Sequence, residues 1–291
     1  MFIDALSGRP LKAPEFKVTA GPAATARHSA VTRVTHWLNA LCLSFLLLSG
    51  LQIFNAHPEL YWGQYGADGD PALLTIGSAH DSDGPRGFVR LAGITLPTTG
   101  FLGVSSFEGE STPRAFPAWL TIPSFQDLAA DRRWHFFFAW FFVINGAVYL
   151  GYGMLRGHFR RDLAPKREQL SARHLWYEIV EHARLRFPER EEARHYNALQ
   201  KLTYLVVIAG LLPTMVLTGL TMSPGVDAAF PALLDLLGGR QSARTIHFIT
   251  ASLVVLFVLV HLAMVVLSGA WNNLRSMITG RYAIRESEPK A

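Results

Sequence analysis

A single cysteine, Cys42, stands among 291 residues. An intrachain disulfide, a thiolate zinc site, an iron–sulfur cluster and a covalently attached c-type haem are therefore all excluded on ligand count. Cys42 lies within an apolar run and reads as a small buried side chain. Charge is scarce as well. Only 17% of the residues are charged while half are hydrophobic, and the mean hydropathy is positive, which lies outside the balance of a soluble domain. No basic stripe is interleaved with aromatics, so nucleic acid is excluded as a partner even at a pI near 9.5. There is no internal repeat and no low-complexity run. The first 30 residues hold prolines and scattered charges without an apolar h-region, so no cleaved signal is expected ahead of the first apolar stretch.

What is present is four stretches close to the roughly 20 apolar residues that a bilayer requires: 31–54, 134–155, 199–222 and 245–268. They predict an all-α membrane protein, a single-domain four-transmembrane-helix bundle surrounded by membrane lipid. Basic residues near spans resist translocation. The N-terminal arm through Arg33, the segment 156–201 and the tail 269–291 hold five, eleven and four of the 27 Lys and Arg. This asymmetry predicts a multi-pass membrane protein with both termini on the inner side. The arm 1–30, the loop 156–198 and the tail 269–291 are then inside, and 55–131 forms an insertion on the outer side.

That insertion is too long for a simple connection. It is rich in Gly, Pro and acid, yet its apolar runs Phe88–Leu96 and Ala118–Ile122 predict a folded lid with short strands or a hairpin. Ser124 is a candidate cap for a short helix leading into the second span. On the other side, residues 171–186 place Leu175, Trp176, Ile179, Val180 and Ala183 on one helical face. This pattern fits a helix lying on the membrane surface and equally a solvated linker helix.

Four of the eleven histidines sit at or within spans: His36, His135, His247 and His261. Ionisable groups at such positions are costly and mark function. His247 and His261 are 14 residues apart, nearly four helical turns, which puts them on one stripe about 21 Å apart along the axis. Depth then pairs His36 with His261 near the inner side and His135 with His247 near the outer side. Two neutral imidazoles on facing helices saturate a haem iron and favour electron transfer over substrate binding. The expected cofactors are therefore two non-covalent haem b groups, bis-His ligated, with iron at His36/His261 and His135/His247. Gly50 lies on the His36 face at the level of the outer pair, and Gly146 on the His135 face toward the inner one. Both suit close approach of a macrocycle or ordinary close helix packing. Arg33, Arg132, Arg133 and Arg244 flank span ends, where guanidinium suits a haem propionate or a headgroup phosphate.

With RHSAVTRVTHWLNAL at 27–41, YNALQKLTY at 196–204 and the 14-residue histidine spacing, the chain resembles the bacterial di-haem cytochrome b family. That family includes cytochrome b561 and the membrane subunits of nickel–iron hydrogenase and formate dehydrogenase. The resemblance covers all four spans but not the insertion. It implies the same haem pairing, and a quinone bound as exchangeable substrate beside Asn197; the family's glycine two positions further on is Leu199 here. It also implies an oxidoreductase catalytic subunit on the outer face, and the enlarged insertion points to a molybdopterin type. The alternatives are a stand-alone quinone oxidoreductase like cytochrome b561 and a hydrogenase cytochrome b subunit.

Overall fold

The computed structural model describes residues 24–26, 28–66, 70–82, 84–157, 159–165, 167–184 and 198–283. Four helices among them are long and apolar enough to cross a membrane. The first, α1 (Ala30–Asn55), begins where Ser29 Oγ accepts the Thr32 N–H at 3.1 Å. The second, α2 (Leu128–Leu155), starts two turns before the apolar run does. Its cap is Asp127, whose carboxylate accepts the N–H groups of Ala129 and Ala130. Ser124 is not the cap; its carbonyl instead takes a hydrogen bond from Arg114.

The third span is compound: α4 (Ala198–Leu205), a π-helical stretch Val206–Leu211, and α5 (Leu212–Thr221). Pro213 accounts for the π stretch. It lacks an N–H and its ring crowds the carbonyl one turn back, so the preceding turn widens. Two short helices, α6 (Pro224–Ala229) and α7 (Pro231–Leu236), lead to the fourth span, α8 (Arg240–Leu267).

Burial within these spans is inverted relative to a water-soluble protein. Most buried positions are small or polar, such as Thr35, Ser49, Asn145, Thr218 and Thr250, with Phe54, Phe142, Val207 and Val254 the larger apolar ones. Exposed ones are large and apolar, such as Phe137, Phe141, Ile144 and Val148 on α2 and Leu253, Leu256, Val260 and Val266 on α8. Helices in lipid gain nothing by hiding leucine and associate through small and hydrogen-bonding residues. Asn145 illustrates this, donating to the Thr35 carbonyl at 2.8 Å and to Asn39 Oδ1 at 2.7 Å, which pins α2 to α1.

Between α1 and α2 the chain builds a lid. An antiparallel sheet runs in the order β2 (Glu59–Leu60), β3 (Leu74–Asp81), β4 (Gly84–Leu91), β5 (Ile94–Pro97), followed by the hairpin β6 (Val104–Phe107) and β7 (Glu110–Pro113). The apolar run Phe88–Leu96 becomes the β4–β5 hairpin, and Ala118–Leu120 a single 3₁₀ turn. The lid core, Leu60, Ile76 and Ala115, closes on Phe54 of α1 and Phe248 of α8, so lid and bundle share apolar contacts.

Polar contacts fasten the same seam. Thr245 Oγ1 donates to the Tyr61 carbonyl at 2.6 Å. The Gly63 carbonyl accepts from the N–H groups of Gln241 and Ser242, which the first turn of α8 leaves without helical partners. Arg244 Nη1 donates to the Glu59 carbonyl at 2.7 Å and Nη2 to that of His57.

Gly103 is the tightest point of the lid. Its φ is +78°, and a Cβ there would stand 2.1 Å from the Gly77 carbonyl oxygen. Gly103→Ala is expected to cost the lid at least about 2 kcal/mol, from left-handed strain plus the clash. The check is the rate of proteolytic nicking between residues 57 and 127, which should rise in the variant while the spanning helices stay intact.

The opposite end carries both ends of the described chain. Strand β1 (Ala24–Ala26) pairs antiparallel with β8 (Arg281–Ala283), just after the short helix α9 (Ala270–Thr279). Exposed Trp271, Leu274 and Ile278 give α9 an apolar face. Helix α3 (Ala172–Ala183) leaves Trp176 and Ile179 exposed in the same way. Glu178 of α3 accepts the N–H groups of Ala198 (3.1 Å) and Leu199 (2.7 Å), so it caps the third span from 20 residues earlier in the chain.

Candidate functional site

Three helices, α1, α2 and α8, bring the span histidines together in two pairs. His36 of α1 and His261 of α8 have ring centroids 6.2 Å apart, with planes at 66°. His135 of α2 and His247 of α8 have centroids 6.4 Å apart, with planes at 61°. Because His247 and His261 are separated by 14 residues of one helix, the pairs occupy two levels, one near the lid and one near the described termini.

The separations are chemically informative. A metal–imidazole bond is about 2.0–2.1 Å and the ring centre lies about 1.1 Å beyond the nitrogen, so two imidazoles trans across one metal have centroids about 6.3 Å apart. Both pairs match this value. Among the described residues, no group of three or more His, Cys, Asp or Glu is placed to hold a metal ion. Each pair therefore supplies two donors, the number an iron needs when a porphyrin provides the other four.

The lid-end pair is the more heavily supported. Ser49, fully buried, lies with Oγ 3.1 Å from His135 Nδ1, and Thr218, also fully buried, with Oγ1 2.9 Å from His247 Nδ1. Next to them, a Cβ on Gly50 would lie 3.4 Å from His135 Cε1, and one on Gly219 3.5 Å from His247 Cε1. At the termini end, the His261 ring stacks on Phe257 and that of His36 meets Trp37 edge to face. No hydrogen bond to either imidazole is formed among the described residues.

Other residues singled out from sequence fall variously. Gly146 has open space where its Cβ would be. Arg33 Nη1 donates to the Ile278 carbonyl of α9, while its Nε is buried without a hydrogen-bond partner. Arg132 lies over the Phe136 ring, and Arg244 is engaged by the lid carbonyls. Asn197 lies outside the described residues, as does Tyr196. Sequence reasoning missed Ser49, Thr218, Gly219 and the Asn39–Asn145 contact. A signal existed for the first three, since a hydroxyl residue directly before a glycine recurs once in span one and once in span three.

Paired imidazoles at metal-bridging distance inside a lipid-facing four-helix bundle define a haem-binding membrane protein. Residues 27–280 match the prokaryotic cytochrome b561 family, and the chain belongs to it. It is similar to a putative protein-methionine-sulfoxide reductase subunit, YedZ1, of Azospira oryzae, at 29% identity over 242 residues that cover 83% of this chain and 91% of that one. No solved structure matches. The chain is thus a haem b membrane protein of the electron-transfer class.

Proposed function

We propose that this chain is the di-haem membrane subunit of a respiratory oxidoreductase, carrying electrons between the quinone pool and a catalytic subunit docked on the lid. The observation that carries the reading is the pair of histidine separations, 6.2 and 6.4 Å, each suited to bis-imidazole ligation of one iron. When bound, haem iron supplies reversible one-electron chemistry, and the protein sets its ligands, spacing and surroundings. His36 and His261 hold the haem at the termini end; His135 and His247 hold the one beneath the lid. The unpartnered Nε of Arg33 suits a propionate at the termini end. Gly146 gives close approach for the macrocycle at that same level. In this reading the lid is periplasmic and both termini are cytoplasmic, in the bacterial inner membrane.

The quinone is assigned to the termini end, beside Asn197, on the family resemblance. The partner is assigned to the molybdopterin class. The relative's name, a subunit of a protein-methionine-sulfoxide reductase, supports a partner that consumes electrons. Electrons then run from quinol through the termini-end haem and the lid-end haem to the reductase.

The test is spectroscopic, in membrane vesicles carrying the full chain with and without its catalytic subunit. Addition of a quinol should reduce both haems, and the subunit with an oxidised substrate should reoxidise them. Haems that quinol leaves oxidised, or that substrate cannot reoxidise in the presence of the subunit, would contradict the assignment.

A further inference from the structure

The two lid-end histidines are gripped in the same way by two different helices. On α1 the dipeptide Ser49–Gly50 faces His135 of α2; on α5 the dipeptide Thr218–Gly219 faces His247 of α8. In each, the hydroxyl meets Nδ1 and the glycine meets Cε1, the adjacent carbon of the ring. We propose that Ser49–Gly50 and Thr218–Gly219 are matched cradles, positioning residues that fix the tautomer and donor strength of both lid-end haem ligands. This rests on the bis-imidazole reading above and adds to it a control over the potential of one haem and not the other.

The hydrogens can be assigned from the hydroxyls' other bonds. Ser49 Oγ donates to the Phe45 carbonyl at 2.6 Å, closer than its 3.1 Å approach to His135. Thr218 Oγ1 donates to the Thr214 carbonyl at 2.6 Å, against 2.9 Å to His247. Each hydroxyl has one proton, and it is committed to the helix's own carbonyl, so toward the imidazole the oxygen accepts. Both rings therefore carry their proton on Nδ1 and keep the lone pair of Nε2 for a metal. Full burial of both hydroxyls removes water as a competing acceptor.

The energetic consequence has a definite sign. A hydrogen bond accepted from Nδ1–H pushes electron density onto the ring and raises the basicity of the ligating nitrogen. A stronger donor favours ferric over ferrous iron, so the cradles lower the midpoint potential of the lid-end haem. His36 and His261 take no such bond among the described residues, and the termini-end haem is left without this contribution. The glycines add a steric condition. The Cβ positions already stand at van der Waals distance from the rings, at 3.4 and 3.5 Å, so a longer side chain directed at the ring overlaps it.

The experiment is a potentiometric titration of both haems in the purified full-length chain, for wild type, Ser49→Ala, Thr218→Val and Thr218→Ser. Thr218→Val keeps the shape of threonine and deletes the hydroxyl; Thr218→Ser keeps the hydroxyl. Wild type must first bind two haems, and if it does not, the bis-imidazole reading has failed and not the cradle. With two haems present, Ser49→Ala and Thr218→Val should each raise the potential of one haem, the same one in both variants. Thr218→Ser should leave both potentials as in wild type. The haem that shifts should be the one lost on replacing His247. Unshifted potentials in Ser49→Ala and Thr218→Val, or shifts of both haems alike, would overturn the proposal. If Thr218→Val loses a haem outright, retention by Thr218→Ser supports the hydroxyl's role, and loss there too overturns it.

Discussion

Replacing His261 with alanine is expected to halve the haem content of the protein, from two per chain to one, and to leave the spectrum of the remaining haem unchanged. The effect is local. The 6.2 Å separation from His36 ties His261 to a single site, and the lid-end pair lies about 21 Å away along α8. That distance is too great for a packing change at one level to dislodge ligands held by Ser49 and Thr218 at the other. His36→Ala should do the same, and His247→Ala should remove the other haem. In the double variant His36→Ala/His247→Ala neither site keeps both ligands, and both haems should be lost. Electron entry from quinol should fail in His261→Ala even though one haem is retained. The check is the haem-to-polypeptide ratio together with reduced-minus-oxidised spectra. A full haem complement in His261→Ala would mean that the histidine pairing is not the ligation.

Replacing Arg114 with methionine is expected to release the lid from the bundle without removing either haem. Arg114 is 5% exposed and makes four side-chain hydrogen bonds: to the Phe116 carbonyl (2.8 Å), the Ser124 carbonyl (2.9 Å), Gln52 Oε1 (2.8 Å) and Thr121 Oγ1 (3.1 Å). Gln52 belongs to α1, and Ser124 lies just before α2, so a single guanidinium joins the lid to both helices. Burial lowers the pKa of Arg114, and the carboxylate of Asp131, which forms no ion pair with it, opposes that shift. Removing the guanidinium leaves four acceptors without their donor, and a buried polar group left unsatisfied typically costs about 1–3 kcal/mol. Nearby, Asn55 accepts the Phe116 N–H at 2.7 Å and partly holds the seam. The lid should therefore loosen and not unfold the whole chain. Limited proteolysis should show faster cleavage between residues 57 and 127, and electron transfer to a lid-bound partner should fall, with the haem ratio unchanged. Arg114→Lys should behave like the methionine variant, since a single ammonium cannot reach four divergent acceptors.

The spanning helices are the most legible part of the fold, because an apolar run of about 20 residues suits few structures besides a membrane span. Their ends are less so. Helix α2 begins at Leu128 and not near Trp134, since Asp131, Arg132 and Arg133 interrupt the hydropathy signal while remaining good helix residues behind the Asp127 cap. The π stretch before Pro213 and the short helix α9 are not legible in the sequence at all. A proline inside an apolar run signals a perturbation but not its form, and a ten-residue amphipathic helix is shorter than periodicity resolves.

Within the lid, the apolar run Phe88–Leu96 indicates strands, whereas the sheet order depends on contacts such as Gly103 against Gly77 that no local pattern encodes. The histidine pairs are accessible because helical rise converts sequence spacing directly into depth. Support for those histidines is harder to see. From sequence, Gly50 suggests room for a macrocycle, yet its nearest neighbour is the His135 ring itself, an orientation set by the Ser49 hydroxyl one residue earlier.

At the centre of the proposed function are two haems held in this bundle between four named histidines. The most direct test is the protohaem content of the purified wild-type chain, assayed as the pyridine haemochrome and divided by polypeptide from quantitative amino-acid analysis. Two haems per chain is the predicted result; one or none would contradict it.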